Sequence, residues 1–161
     1  MSGADKPAAG MIPYKVGDGD TRPWGRYTVT AVGHNDVGEE FCEKEIIVSP
    51  GQVLSLQSHD LRRERWRVTE GALTVIVDDT QTTLQAGETI DVPQGAVHCM
   101  ANLSNAPCTV HELQQGQCRE EDIIRYMDAY GRAAAENDAE KRAAPSRALY
   151  TALLQGIGEK T

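Results

Sequence analysis

Residues 57–68 read QSHDLRRERWRV and contain two interleaved patterns. In an extended strand, residues two apart point to the same face of the sheet. One face carries Arg62, Glu64, Trp66 and Val68, and the other carries Arg63, Arg65 and Arg67. A face with tryptophan and valine packs inward, whereas a face of three arginines meets solvent. The stretch therefore predicts a strand that places a carboxylate and a guanidinium inside the protein, which is costly unless they serve a metal ion or a ligand.

Short runs rich in Val, Ile, Thr and Leu surround this strand between residues 27 and 115, with Gly, Pro and Asp between them. Such runs predict an all-β domain, a sandwich or barrel of antiparallel strands. The sequence DDTQ at residues 78–81 predicts a hairpin tip. Further along, residues 133–142 have strong helix propensity. A second helix is predicted with Pro145 in its first turn, Leu149 and Leu153 on one face, and Gly156 near its end.

The length of 161 residues fits one domain. We expect a flexible N-terminal arm at residues 1–20, the β domain at residues 21–132 and a helical tail at residues 133–161. The tail is expected to serve packing or dimer formation.

Composition excludes several classes of protein. The net charge of −8 disfavours a nucleic-acid binder, which needs a basic face. No apolar run approaches the roughly 20 residues that span a bilayer, and no secretory signal is visible. The four cysteines have no CxxC spacing and are too few for a disulfide scaffold, so the sequence predicts a cytoplasmic protein.

Two segments carry metal-ligand residue types at fixed spacing. They run Gly51-x5-Gln57-x-His59-x4-Glu64-x6-Gly71 and Gly87-x5-Pro93-x-Gly95-x2-His98-x3-Asn102. This pair resembles the signature of the cupin superfamily, in which both segments lie on strands of a small barrel, the double-stranded β-helix or jelly roll. The resemblance implies four inward metal ligands, namely Gln57, His59, Glu64 and His98.

Two imidazoles, a carboxylate and an amide oxygen suit Zn²⁺ most readily, with Co²⁺, Mn²⁺ or Fe²⁺ as alternatives. Taken singly, His59 and His98 would also fit hydrogen-bonded structural histidines, and Glu64 could simply pair with Arg62.

A closer resemblance rests on residues around the two segments. They are Arg22-Pro23-Trp24-Gly25, Leu54-Ser55-Leu56-Gln57, His59 with Arg62-Arg63-Glu64-Arg65-Trp66, Gly71-Ala72, Glu112-Leu113-Gln114, Glu121-Asp122-Ile123 and Tyr130-Gly131-Arg132. Together they resemble the type II mannose-6-phosphate isomerases over residues 21–132. The resemblance implies an isomerase that interconverts mannose 6-phosphate and fructose 6-phosphate through a cis-enediol, within GDP-mannose and polysaccharide biosynthesis.

Longer members of that family carry an N-terminal nucleotidyltransferase domain that opens with a GxGTRLWP-type loop. No stretch of this sequence matches the loop, so we expect no guanylyltransferase activity from the chain. This sequence also has Asp60 and Leu61 where the family has a histidine-rich run, and Glu45 after Lys44 where a basic pair is typical.

The resemblance also suggests roles for single residues. Arg62 would stabilise the enediolate, and Glu112 would be the base if its face is the lumen, although a solvated carboxylate on an edge strand is an equal alternative. Lys44 and Arg132 are candidates for binding the phosphate, with ordinary surface charge as the alternative. Trp66 is expected in the core. Cys99 points away from the ligand face and receives no role.

We expect a sugar-phosphate substrate, no nucleic-acid or membrane partner, and a homodimer formed through sheet edges. Two other functions stay open: a non-catalytic cupin that binds a metal or a sugar, and an Fe²⁺ dioxygenase. The dioxygenase is disfavoured because Gln57 stands where a histidine is usual and Arg62 adds charge to the site.

Overall fold

The computed structural model describes residues 12–119, 122–129 and 143–158. This part of the chain forms eleven strands and one helix. The strands are β1 (Gly19–Arg22), β2 (Gly25–His34), β3 (Glu40–Val48), β4 (Leu56–His59), β5 (Arg62–Glu70), β6 (Ala72–Val77), β7 (Thr80–Gln85), β8 (Thr89–Val92), β9 (His98–Ala101), β10 (Cys108–Gly116) and β11 (Ile123–Met127), and the helix is α1 (Ala144–Gly158).

The strands form two sheets with antiparallel pairing throughout the described residues. A six-stranded sheet has the order β1-β2-β3-β10-β5-β8, and a five-stranded sheet has the order β11-β4-β9-β6-β7. This confirms the predicted all-β class with a helical C-terminal element. The helix predicted at residues 133–142 lies outside the described residues.

The two faces of β5 follow the parity that the sequence predicts. Arg62, Glu64, Trp66 and Val68 are buried, Arg63 is half-buried, and Arg65 and Arg67 are exposed. Trp66 and Val68 join the core between the two sheets together with Leu73, Val75 and Met100. The polar residues on the same face of β5 lie beside this core and build the site.

Strand β6 reads ALTVIV, and its four central residues are buried. Alternate residues serve different cores: Leu73 and Val75 pack between the sheets, while Ile76 packs under the helix. A strand covered on both faces needs no polar alternation, which explains the continuous apolar run.

Helix α1 lies against the five-stranded sheet through Tyr150 and Leu153, both buried, with Leu149 partly buried beside them. The Tyr150 hydroxyl donates a hydrogen bond to the carbonyl oxygen of Leu54 at 3.1 Å. No helix within the described ranges is long and apolar enough to cross a membrane.

A two-residue turn, Asp78-Asp79, joins β6 to β7 inside the stretch predicted as a hairpin tip. Asp78 has a φ of 52°, a left-handed conformation that aspartate tolerates better than most residues. At the β5–β6 turn, Gly71 has a φ of 81°, and a Cβ there would lie 2.8 Å from the Pro107 carbonyl oxygen. Only glycine fits that turn without strain.

Residues 12–20, which belong to the predicted N-terminal arm, pack against the sheet. Tyr14 is 8% exposed, the backbone N–H of Gly17 donates to the carbonyl oxygen of Val29, and β1 begins at Gly19. The domain boundaries at residues 20 and 132 stay predictions.

Candidate metal and ligand site

Three strands bring two histidines and one glutamate together inside the barrel. His59 ends β4, Glu64 lies on β5 and His98 begins β9. The Glu64 Oε1 atom is 2.8 Å from the His59 Nε2 atom and 3.9 Å from the His98 Nε2 atom. All three side chains are buried. The geometry thus joins two segments that are far apart in the sequence.

His98 presents an unused ring nitrogen to this group. Its Nδ1 atom lies 2.9 Å from the Ala96 carbonyl oxygen, to which it donates a hydrogen bond, so the lone pair is on Nε2. The Nε2 atom is buried and has no hydrogen-bond partner. Burial, with a contribution from nearby His59, lowers the pKa of His98 to about 4, so the imidazole is neutral and able to bind a metal ion.

Glu64 and Glu112 form a coupled pair of buried carboxyl groups. Burial opposes the charge of Glu64, but hydrogen bonding with Glu112 and His59 holds its pKa well below the ordinary value. Burial and the negative charge of Glu64 raise the pKa of Glu112 well above its ordinary value. Glu64 is therefore the ionised member of the pair and Glu112 the protonated one.

The indole N–H of Trp66 lies between these two carboxyl groups. It donates to Glu64 Oε2 at 2.9 Å and to Glu112 Oε1 at 3.2 Å. The side-chain amide of Gln114 donates to the other oxygen of Glu112 at 3.1 Å. The second oxygen of Glu64 is thereby fixed, and its first oxygen is turned towards the histidines.

Gln57 lies at the edge of the group. Its Nε2 atom is 3.4 Å from the Nε2 atom of His59, and its Oε1 atom accepts a hydrogen bond from the Ser55 hydroxyl at 2.8 Å. A half-turn of the amide would present the oxygen to the histidines instead.

The donor set fits a divalent metal ion. The candidate ligand atoms of His59, Glu64 and His98 all lie within 4.8 Å of one another. Bonds of about 2.0–2.2 Å to a tetrahedral ion require ligand atoms about 3.4 Å apart. The observed separations of 2.8 Å and 3.9 Å lie on either side of this value, so small side-chain shifts suffice. The buried, unpartnered Nε2 atom of His98 fits a missing ligand bond.

Arg62 lies on the inner side of β5, as predicted. Its Nη1 atom donates to the Arg119 carbonyl oxygen at 2.7 Å, and its Nη2 atom is 3.4 Å from the Nε2 atom of His59. Its Nε atom is 3.7 Å from Glu64 Oε1. Burial opposes the charge of the guanidinium, but the Glu64 carboxylate raises its pKa. The charge on Arg62 is therefore permanent.

A cavity of about 110 Å³ opens beside the metal group. Its lining includes four basic residues, Arg22, Lys44, Arg62 and Arg125, and two acidic residues, Glu64 and Glu112. Lys44 is buried, and its ammonium group lies 4.2 Å from the ring centre of Tyr14 and 5.0 Å from that of Tyr27. The cavity is thus basic within a chain whose net charge is −8.

The structure brings most of the predicted site residues together. His59, Glu64 and His98 form one group with Gln57 at its edge, and Arg62, Lys44 and Glu112 line the same cavity. Glu112 is buried on the central strand β10, so it is not on an edge strand. Arg132 lies outside the described residues. Cys99 is buried beneath the helix, away from the site.

Sequence reasoning missed several residues of the site. Arg125 enters the cavity because β11 pairs with β4 and places Arg125 opposite Gln57. Ile123 and Arg125 are two residues apart, so in a strand they share a face, and both line the cavity. This spacing was the signal in the sequence that could have identified Arg125. Tyr14 lies in the segment assigned to the arm. Trp66 is in the core as expected, but its N–H group also serves the site.

The comparisons with known proteins agree with this architecture. Residues 14–128 match the family described as mannose-6-phosphate isomerase C-terminal. The chain is 38% identical over 112 residues to the mannose-1-phosphate guanylyltransferase of Escherichia coli K12, covering 69% of this chain and 22% of that protein. It is 40% identical over 114 residues to the alginate biosynthesis protein AlgA of Pseudomonas aeruginosa, covering 70% and 23%. The chain therefore spans less than a quarter of the length of these relatives.

Among solved structures, KdgF from Halomonas sp. is similar with a TM-score of 0.52 and 17% identity, over 63% of this chain and 86% of that one. At this identity the likeness concerns the fold alone, which is a cupin β-barrel, as the sequence predicts.

The expected activity needs correction. The sequence predicts a mannose-6-phosphate isomerase, but the relatives are named as a guanylyltransferase, which is a transferase, or as polysaccharide biosynthesis proteins. The isomerase prediction is therefore wrong, because a resemblance in a shared cupin domain identifies the domain and not the reaction. The catalytic roles suggested for Arg62 and Glu112 depended on the isomerase reaction, so they are withdrawn together with that prediction. The chain belongs to the family described as mannose-6-phosphate isomerase C-terminal, and it carries the cupin domain of that family.

Proposed function

We propose that this cupin is a binding domain that holds one divalent metal ion and takes a phosphorylated mannose into the cavity beside it. The metal ion would bind to Gln57, His59, Glu64 and His98. The observation that carries the proposal is the buried, unpartnered Nε2 atom of His98, which lies 3.9 Å from the Glu64 carboxylate.

Zinc is the metal that the donor set favours, because two imidazole nitrogens and a carboxylate oxygen are ligands typical of zinc. The hydrogen bond from His98 Nδ1 to the Ala96 carbonyl is the outer contact that fixes a metal-binding imidazole. The indole N–H of Trp66 does the same for the Glu64 carboxylate. When bound, the ion would supply a Lewis acid for hydroxyl or carbonyl oxygens of a ligand.

The charge of the cavity supports an anionic ligand. Four basic side chains line it against two carboxyl groups, and the raised pKa of Glu112 removes one of the two negative charges. A divalent ion would add further positive charge. Arginine and lysine are the side chains that bind phosphate. The names of the relatives, which include mannose 1-phosphate, make that sugar phosphate the first ligand to test.

Lys44 is the described residue that we propose for the phosphate, with Arg132 as the second candidate from the sequence. Arg62 and Glu112 would contact the ligand or hold the metal ligands rather than carry out chemistry. We also propose that the domain serves GDP-mannose and polysaccharide biosynthesis, which the names of its relatives support. A pairing of two copies, which the sequence predicts, is also part of the proposal.

The metal is tested by stripping the protein with a chelator, adding zinc and measuring metal content by elemental analysis and affinity by calorimetry. We expect one zinc ion per chain in the wild type. Glu64→Gln keeps the shape of the side chain but loses its charge, and it should weaken zinc binding at least a hundredfold. Glu70→Gln, on the exposed end of the same strand, is the matched control. Full zinc occupancy in Glu64→Gln would contradict the proposed site.

The ligand is tested separately with the zinc-loaded protein. Calorimetry with mannose 1-phosphate, mannose and inorganic phosphate should show that the phosphorylated sugar binds most tightly. Lys44→Gln should weaken binding of mannose 1-phosphate at least tenfold and leave zinc content unchanged. Lys15→Gln, an exposed lysine outside the cavity, is the control. Equal binding of mannose and mannose 1-phosphate would contradict the phosphate site.

A further inference from the structure

The two sheets differ in what covers their outer faces. Helix α1 packs on the outer face of the five-stranded sheet, where apolar residues receive it. On the outer face of the six-stranded sheet no described helix packs. This outer face carries both charged and apolar side chains, and its centre is formed by β3, β10 and β5.

Charge is divided by strand across this centre. Glu45 on β3 is in register with His111 on β10, and His111 is in register with Arg67 on β5. The neighbouring row has the same order, with Glu43 on β3, Leu113 on β10 and Arg65 on β5; Leu113 is partly buried. The β3 side is thus acidic in both rows, the β5 side is basic, and β10 separates them.

Glu45 and Arg67 are exposed, and their side chains form no hydrogen bond or ion pair with the described residues. They line one groove of about 340 Å³ together with Thr30, Thr69 and His111. Two strand spacings of about 4.8 Å place their backbones almost 10 Å apart, and the two side chains form no ion pair with each other.

We propose that a second copy of this chain docks on the outer face of the six-stranded sheet, related by a two-fold axis that lies in the interface and bisects the small angle between the two β10 strands. A half-turn about this axis places β3 of one copy over β5 of the other. Glu45 of each copy then faces Arg67 of the other, which forms two equivalent ion pairs. His111 and Leu113 lie next to the axis.

The charge pattern selects this arrangement over the other face-to-face pairing. An axis in the interface but perpendicular to the strands would place β3 over β3 and β5 over β5. The acidic β3 sides of the two copies would then face each other, and so would the basic β5 sides. Both contacts would be repulsive. Twisted sheets pack with their strands about 30° apart, so residues of the two copies face each other best near the point where the two β10 strands cross. The arrangement places the row of Glu45 and Arg67 at that point.

The area of the face is sufficient for a dimer. Four strands of nine or ten residues and two of four residues, about 4.8 Å apart, cover roughly 700 Å² in each copy. Stable interfaces bury about 800 Å² in each partner. The inference rests on the pairing of two copies proposed above, but it places the contact on the outer face of one sheet and not at the sheet edges that the sequence suggests. It is independent of the metal ion and of the sugar phosphate.

Exchanging the charges of Glu45 and Arg67 tests the proposed arrangement of the two copies. Sedimentation velocity over a range of concentrations would give the dimer dissociation constant of the wild type, Arg67→Glu, Glu45→Arg and the double variant. Each single change places like charges opposite each other twice, so we expect at least tenfold weaker dimers. The double variant exchanges the charges and should return to within about threefold of the wild type. Asp79→Arg, at the exposed β6–β7 turn, is the control for net charge.

A crosslinking experiment tests the position of the axis without relying on charge. His111→Cys should give covalent dimers with a short bis-maleimide crosslinker, and Asp79→Cys should not. The native cysteines will not compete, because all four are buried and burial raises their thiol pKa values to about 11 or 12.

A wild type that stays monomeric at millimolar concentration overturns the pairing altogether. A dimer that is unaffected by the single changes, or a double variant no better than the single ones, overturns this face while leaving another dimer open. Neither result bears on zinc or mannose 1-phosphate binding, so the inference can fail without the binding proposal.

Discussion

Strand β5 carries arginines on both of its faces, and the two faces use them differently. On the inner face, Arg62 is 3% exposed and contacts a backbone carbonyl, His59 and Glu64. On the outer face, Arg63 pairs with Glu39 at 2.8 Å and Arg65 pairs with Asp91 at 2.7 Å, and these side chains remain open to solvent. The ion pair on the inner face, between Arg62 and Glu64, is the longer one at 3.7 Å.

From this difference we expect burial, and not contact distance, to determine how much each ion pair contributes to stability. In solvent, water replaces a lost partner and salt screens the attraction, so an exposed pair contributes little. Inside the barrel no water can take the place of Arg62, and loss of one partner leaves the other charge buried. Substitutions on the inner face should therefore have large effects, and matching substitutions on the outer face small ones.

The largest effect is expected for Arg62→Ala. The substitution leaves the Glu64 carboxylate without its nearest cation and the Arg119 carbonyl without its donor. We expect a loss of about 3–5 kcal/mol in the free energy of unfolding. Urea denaturation of the metal-free protein measures it. A loss below 1 kcal/mol would mean that water reaches the inner face, and the contrast between the faces would fail.

Trp66→Phe should have the next largest effect. Phenylalanine keeps most of the buried ring but removes the N–H group that binds Glu64 and Glu112. We expect a loss of about 1–3 kcal/mol in stability, because two buried carboxyl oxygens lose a donor. Zinc affinity should fall about 10- to 100-fold, as for other contacts that orient a metal ligand.

Trp24→Phe is the control, because Trp24 is buried in the same core but makes no hydrogen bond to either carboxyl group. Zinc titration separates the two roles of Trp66. If Trp66→Phe lowers stability but leaves zinc affinity unchanged, the indole N–H serves packing alone.

The alternation of apolar and polar side chains along short runs of sequence was sufficient to predict much of the fold. The parity of residues 62–68 identified the inner face of β5, because side-chain direction in a strand has a fixed period of two. The meeting of Gln57, His59, Glu64 and His98 was implied instead by the resemblance of their two segments to the cupin signature.

The residues that sequence reasoning missed depend on pairing between distant strands. Arg125 faces the cavity only because β11 pairs with β4, and Tyr14 packs over Lys44 only because the chain before β1 folds onto the sheet. The alternation of Ile123 and Arg125 indicates that the two share a strand face, but no local pattern shows which strand β11 pairs with or that Tyr14 contacts Lys44. The double role of Trp66 was missed for another reason, since a tryptophan on an inner face predicts packing whether or not its N–H group has a partner.

The smallest effect is expected for Arg63→Ala, the outer-face neighbour of Arg62. Hydrogen bonds from Arg63 and from Asn35 lower the pKa of Glu39 to about 2 from its ordinary 4.5. Because the folded-state pKa lies below the unfolded one, the pair stabilises the protein above about pH 4.5, and the contribution disappears as the pH falls towards 2. In Arg63→Ala the Asn35 bond remains, so the pKa of Glu39 should rise most of the way to 4.5. A carboxyl titration followed by nuclear magnetic resonance measures this shift.

Thermal melting at pH 7 in low and high salt measures the effect on stability. The melting temperature of Arg63→Ala should lie close to that of the wild type and far above that of Arg62→Ala. If the two arginine variants melt alike, burial does not separate the faces of β5; if the Glu39 pKa does not move, the exposed pair does not form in solution.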